Sequence, residues 1–94
     1  GYLPIDKIER SKRIKELEQI ASKQKQAQFF IETPYRNISI YEDLLKTLNP
    51  ASLLLVATNI TLVNESIIVK SVQDWKKSEA PDFIKQPTVF GIYI

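Results

Sequence analysis

The sequence predicts an α/β domain built on a mixed sheet of about four to five strands flanked by helices. Three observations carry that expectation. Apolar residues recur at helical spacing near the start of the chain, short runs of β-branched and aromatic residues follow, and the run Leu53-Leu54-Leu55-Val56-Ala57 shows no alternation. A strand without alternation is one covered on both faces, which places it at the centre of a sheet.

Taken in order, residues 1–5 read as a loop, and Asp6 is the N-cap of a first helix whose Ile8, Ile14, Leu17, Ile20 and Ala21 run to about Lys23. Its polar face carries Glu9 and Arg13. The polar stretch Lys23-Gln24-Lys25-Gln26 breaks the pattern, and residues 27–32 form a strand that Pro34 ends, since proline cannot donate to a ladder. Ser39, with Glu42 three residues on, makes a capping box for a second helix bearing Ile40, Leu44, Leu45 and Leu48, and Asn49-Pro50 stops it. The apolar run 53–57 and the segment 66–69 then form two strands of a hairpin with a long connection. Ser71 with Asp74 caps a short third helix through Trp75, which packs on the sheet, and a proline-bearing loop over 79–87 precedes a last strand over 88–94. The order is α-β-α-β-β-α-β.

A chain of 94 residues makes one domain, with roughly 60–65% of its extended surface buried. Its 13 basic and 11 acidic residues leave a formal charge of +2, too little for a polyanion footprint. Lys7, Arg10, Lys12, Arg13 and Lys15 form its one basic cluster. With no cysteine and no histidine there is no disulfide, no thiolate or imidazole metal site and no Ser-His or Cys-His nucleophile. Any chemistry falls to carboxylates, lysine, tyrosine, hydroxyls or the backbone, and no metal site is expected. Two glycines, Gly1 and Gly91, exclude a glycine-rich nucleotide loop. No run approaches the ~18 apolar residues of a membrane span, so a soluble, cytoplasmic protein is expected. The absence of methionine and the apolar opening suggest a fragment of a longer protein; sequons at Asn37, Asn59 and Asn64 read as chance matches without a secretory signal.

The stretch from Phe29 to Asn37 has the most chemical content, because an apolar strand there delivers Glu32 and Arg36 to an edge. Polar groups just past a strand are read as site candidates, while the same spacing also suits a structural ion pair. Both readings stand at this level.

Those residues also carry a resemblance. Gly1-Tyr2-Leu3-Pro4, then Arg10 and Arg13 with Lys15-Glu16-Leu17, then Phe30-Ile31-Glu32-Thr33-Pro34-Tyr35-Arg36, resemble the C-terminal half of the tetrapyrrole (corrin/porphyrin) methylase family, nearest its ribosomal RNA 2′-O-methyltransferase branch. The similarity continues through Leu44-Leu45 and Val56-Ala57 to Leu62 and Glu65, over essentially the whole chain. Ile31 stands where the branch has tyrosine, Tyr35 where it has histidine, Asn59 for glutamate and Leu62 for lysine. The motif therefore identifies the family more closely than the substrate.

The resemblance implies that residues 1–94 are the second domain of a two-domain methyltransferase that uses S-adenosylmethionine in a cleft shared with an N-terminal domain of the same chain. It places Ile31, Glu32, Leu54, Ala57, Pro87 and Thr88 near the cofactor. Glu32 or Glu65 would orient or deprotonate a ribose hydroxyl of ribosomal RNA, and Tyr2, Arg10, Arg13, Tyr35 and Arg36 would hold the substrate. With a tetrapyrrole acceptor the same arginines would meet its carboxylates. The family also implies a homodimer. A non-catalytic interaction or dimerisation module and a small RNA-binding domain using the basic first helix are the competing readings, the latter disfavoured by the near-neutral charge.

Overall fold

The computed structural model describes residues 3–32, 36–58, 66–79 and 88–93. The chain runs α1 (Lys7–Gln24), β1 (Gln28–Glu32), α2 (Asn37–Thr47), β2 (Leu53–Thr58), β3 (Ser66–Ser71), α3 (Val72–Lys77) and β4 (Thr88–Tyr93). The predicted element order therefore stands. The strands form one sheet of four in the order β1-β4-β2-β3. In place of a mixed sheet, every pairing among the described residues is antiparallel. The reason lies in the connections: β2 and β3 follow one another as a hairpin, and β4 enters between β1 and β2 running against both.

Local chemistry explains the ends. Asp6 caps α1 by accepting from the Ile8 amide, and Ser71 caps α3 by accepting from the Asp74 amide, both as its sequence position predicts. After α1 the chain turns at Lys25 in the left-handed region, φ 52° and ψ 40°, a conformation that costs a side chain about 1 kcal/mol. The capping box expected at Ser39 is absent. The helix α2 begins two residues earlier at Asn37, with Arg36 as its cap residue and no side-chain cap bond. Ser39, inside the helix, instead accepts a hydrogen bond from Arg10 Nη1 at 3.1 Å.

All three helices contribute to one core on a single face of the sheet. It joins Ile14 and Leu17 of α1, Ile40 and Leu44 of α2, and Val72 and Trp75 of α3 to Phe30, Leu54, Val56, Phe90 and Ile92 of the strands. Each such side chain contributes about 1.5–3 kcal/mol by leaving water. Trp75 packs on the sheet as expected and donates its indole N–H to the Leu54 carbonyl at 2.8 Å. On the opposite face, Phe29, Ile31, Ile67 and Val69 stand exposed. The run 53–57 is interior to the sheet, as predicted, yet Leu53 is exposed and Leu55 only half-buried, so among the described residues it is fully covered on one face alone.

On α1 the inward positions are Arg10, Ile14, Leu17, Glu18 and Ala21. Ile8 falls on the opposite side and is exposed. The apolar stripe read from the sequence thus has two charged residues within it, and both are held by α2 or the turn that follows it. No described helix is long and apolar enough to cross a membrane.

Candidate functional site

The antiparallel register gathers polar residues at one end of the sheet. Glu32 pairs with Thr88, Thr88 with Thr58, and Thr58 with Ser66, so a polar row crosses all four strands. The next row inward on the same face, Phe30, Phe90, Val56 and Ile68, is entirely apolar. With strands ~4.8 Å apart, Glu32, Thr88 and Thr58 lie within about 10 Å of one another. Glu32 and Thr88 are fully buried and Thr58 nearly so.

The start of α2 covers this row. Asn37, its first residue, is fully buried and donates from Nδ2 to Thr88 Oγ1 at 3.4 Å. Arg36, just before it, lies with Nε 3.5 Å from Glu32 Oε1. A buried carboxylate is retained only where a cation and hydrogen bonds compensate its lost hydration, and Arg36 provides that cation.

On the other face of the same strand ends, Ile31, Val89, Ala57 and Ile67 form an apolar row. Ala57 is buried and Ile31 is exposed. The strand ends therefore present buried polar groups on one side and an apolar wall on the other.

Four of the positions that the family resemblance places near a cofactor, Ile31, Glu32, Ala57 and Thr88, come together here from three strands. Leu54 does not. It lies four residues along β2 from Thr58, roughly 13 Å away, fully buried in the helix-covered core. Tyr2, Tyr35, Glu65 and Pro87 lie outside the described residues. Thr58 joins the cluster without having been singled out in the sequence, and Asn37, named there only as a sequon and as the end of the stretch from Phe29, joins it as the first residue of α2.

The arginines divide. Arg10 is buried, and its guanidinium donates to Asp43 Oδ2 at 2.7 Å, Ser39 Oγ at 3.1 Å, the Pro4 carbonyl at 3.0 Å and the Ile5 carbonyl at 3.3 Å. Arg36 donates from Nη2 to the Leu3 and Pro4 carbonyls at 2.7 and 3.1 Å. Both therefore face the protein and hold the segment before α1. Arg13, one turn beyond Arg10, faces outward and pairs with Glu16 at 3.1 Å in an exposed bridge.

Two surface clefts of about 320 Å³ each lie elsewhere, one beside Glu18 and Ser52 and the other beside Ala21, Lys25 and Tyr93. Neither touches the strand-end row. The groups at the first are already bonded to one another, because Ser52 donates to Glu18. Among the described residues of the strand ends, the polar row is buried, and on the other face Ala57 is buried while Ile31 and Ile67 are exposed. Among the described residues no cluster of three or more acidic side chains is placed to hold a metal ion.

No family model matches the sequence, and no curated protein matches it. Among solved structures the chain is similar to the crystal structure of the methyltransferase CobJ, with a TM-score of 0.51 and 21% identity over 88% of this chain and 34% of that one. The chain thus spans about a third of that structure's length. At this identity the likeness is one of fold. It supports the tetrapyrrole-methylase-like, methyltransferase-type fold implied by the sequence resemblance, and it lends nothing to the ribosomal RNA branch in particular.

Proposed function

We propose that this chain is the C-terminal half of an S-adenosylmethionine-dependent methyltransferase and forms one wall of a cleft completed by an N-terminal domain of the same protein. The convergence of Ile31, Glu32, Ala57 and Thr88 at one end of the sheet carries the reading. The shared fold with a methyltransferase supports it.

Bound there, the cofactor supplies a methyl group already activated on a sulfonium, so the protein's task is chiefly alignment and shelter from water. The residues present fit that task. The apolar row of Ile31, Val89 and Ala57 offers a packing wall, and the hydroxyl and amide groups of Thr58, Thr88 and Asn37 lie at the same strand ends. Glu32, buried beside Arg36, shapes and charges the row from beneath. A proton from an acceptor hydroxyl would go to Glu65 or to a group of the other domain.

A ribose 2′-hydroxyl of ribosomal RNA is the acceptor that the sequence resemblance favours. A tetrapyrrole precursor is the second reading. With Arg10 and Arg36 turned inward, Arg13 is the one arginine of the three left facing outward to meet either acceptor.

Calorimetry on the full-length protein tests the core of the reading, with saturable binding of S-adenosylmethionine expected and no heat of binding counting against it. Mapping ribosomal RNA methylation in a deletion strain separates the acceptors. Loss of one 2′-O-methyl group identifies RNA, and an unchanged pattern removes that reading.

A further inference from the structure

We propose that Arg36 is a positioning residue that ties the backbone of Leu3 and Pro4 to the Glu32 carboxylate, so that the chain entering this domain takes its direction from the strand-end row. One planar guanidinium spans both partners. Its Nε lies 3.5 Å from Glu32 Oε1, while its Nη2 donates to the Leu3 carbonyl at 2.7 Å and the Pro4 carbonyl at 3.1 Å.

The segment is gripped from a second side. Arg10 donates to the Pro4 and Ile5 carbonyls at 3.0 and 3.3 Å and is itself fixed by Asp43 and Ser39 of α2. The Leu3 side chain is buried in the core, so three successive residues are held by two arginines and an apolar anchor. Of the two arginines, Arg36 is the one that also contacts the strand-end row. Nε and Nη2 belong to one rigid plane, so the guanidinium cannot turn to follow the carboxylate without moving relative to the carbonyls.

A change of charge or position at Glu32 therefore displaces Arg36, and with it the Leu3 and Pro4 carbonyls. Arg10 acts as a fixed clamp on the same segment and is indifferent to Glu32. In the methyltransferase reading, on which this consequence rests, occupancy of the cleft and the orientation of the preceding domain are linked through Arg36.

Hydrogen exchange of the Leu3, Ile5 and Asp6 amides in the full-length protein tests the tie. Arg36→Lys keeps a cation beside Glu32 but loses the fork, and Glu32→Gln removes the charge. Each is expected to speed exchange at these amides several-fold while β2 amides hold their rates, and the double variant is expected to exchange no faster than the faster single. Arg10→Lys is expected to speed the same amides as well, because Arg10 holds the Pro4 and Ile5 carbonyls directly. Should Glu32→Gln not fold, Glu32→Asp, which withdraws the carboxylate by a methylene, takes its place in the cycle. Wild-type exchange in the Glu32 variant, or multiplicative effects of the Glu32 and Arg36 changes, overturns the proposal.

Added S-adenosylmethionine supplies a second arm. It is expected to slow these amides in the wild type and in Arg10→Lys but not in Arg36→Lys. Binding by calorimetry without any slowing sinks the link and spares the function. Absence of binding sinks the function, and the exchange cycle then judges the tie of Glu32 to Leu3 and Pro4 alone.

Discussion

The carboxylate of Glu18 on α1 accepts a 2.7 Å hydrogen bond from the Ser52 hydroxyl, and the same Oε2 accepts another, also 2.7 Å, from the Asn49 backbone N–H. One side chain thereby fixes the turn between α2 and β2. That turn is itself a junction, since the Ser52 carbonyl accepts from the Val72 amide at 2.8 Å and the Pro50 carbonyl from the Gln73 amide at 3.1 Å, holding the start of α3. Three helices are registered against one another through four residues, 49–52, with Glu18 beneath them.

Acid should weaken this junction. Burial alone pushes the Glu18 carboxyl up, but the hydrogen bonds from Asn49, Ser52 and Lys15, with the Lys15 charge, outweigh it and hold the carboxyl below its ordinary value of 4.5. A carboxyl with a folded value below its unfolded one stabilises the fold fully above the unfolded value, and that contribution is lost as pH falls through the folded value. The melting temperature of the wild type is expected to drop through this acid window, and Glu18→Gln to show a shallower drop. Parallel curves for the two proteins, measured by circular dichroism, would remove Glu18 from the account.

Ser52→Ala should cost about 1.5–3 kcal/mol, the range for a hydrogen bond to a charged acceptor. The residue is buried, so no water replaces the hydroxyl without rearrangement. Denaturant unfolding of Ser52→Ala and Ser52→Thr checks this, with most of the loss recovered in the threonine variant.

The two arginines at one-turn spacing on α1 should behave oppositely. Asp43→Ala leaves Arg10 buried beside no carboxylate, and a loss of about 3–5 kcal/mol is expected, the usual result of breaking a buried pair. Arg13→Ala breaks an exposed bridge to Glu16 and should change stability by less than ~1 kcal/mol. Chemical denaturation of both variants decides, and comparable losses would contradict the inward and outward assignment.

That contrast also marks the limit of what the sequence discloses. Helix periodicity, the Asp6 and Ser71 caps, and the strands over 28–32, 53–58, 66–71 and 88–93 are local properties, written in spacing and side-chain shape, and they were legible to within a residue or two. Arg10 was not. It sits among basic neighbours on a helix, and its inward turn follows from Asp43 and the carbonyls of residues 4–5, partners that no local pattern announces. The start of α2 escaped for the same reason, because Ser39 and Glu42 satisfy the capping-box spacing while tertiary contacts at Arg36 and Asn37 set the actual end. In the site, Glu32 was legible as a strand-end carboxylate. Thr88 was named through the family resemblance, whereas Thr58 and Asn37 join Glu32 only through strand order and the seat of α2, and the insertion of β4 between β1 and β2 is a long-range choice. Leu54 came from the family resemblance, and the structure sets it in the helix-covered core, further along β2 from the strand-end row.

Trp75→Phe should lower stability by about 2–3 kcal/mol. The change removes the indole N–H that donates to the Leu54 carbonyl and leaves a void against Tyr41, whose ring meets Trp75 edge-on at 5.9 Å. It also weakens the seat of Lys70, whose ammonium lies 4.7 Å from the indole centre. Thermal unfolding checks the size, and Lys70→Met should cost less in the Trp75→Phe background than in the wild type.

Gly91 and Phe29 face each other across β4 and β1, and the pair sets a last expectation about the outer face of the sheet. A Cβ on Gly91 would lie 2.7 Å from Phe29 Cε1 and 2.9 Å from Cδ1, so the ring lies directly over the glycine. It also meets Tyr93 edge-on at 5.9 Å. An aromatic ring laid over a strand glycine covers backbone that the missing side chain leaves open. Gly91→Ala forces the ring aside and forfeits the Tyr93 contact, roughly 0.5–1.5 kcal/mol, and it presses the Leu55 Cβ at 3.3 Å as well. Against this, alanine lowers the entropy of the unfolded chain by roughly 0.4–1 kcal/mol. The net loss should therefore be small, under about 1 kcal/mol. The sign should reverse once Phe29→Ala has removed the ring, because only the entropy gain then remains apart from the Leu55 contact. A double-mutant cycle by urea unfolding measures the coupling, and additive effects would mean that Phe29 does not rest on Gly91 in solution.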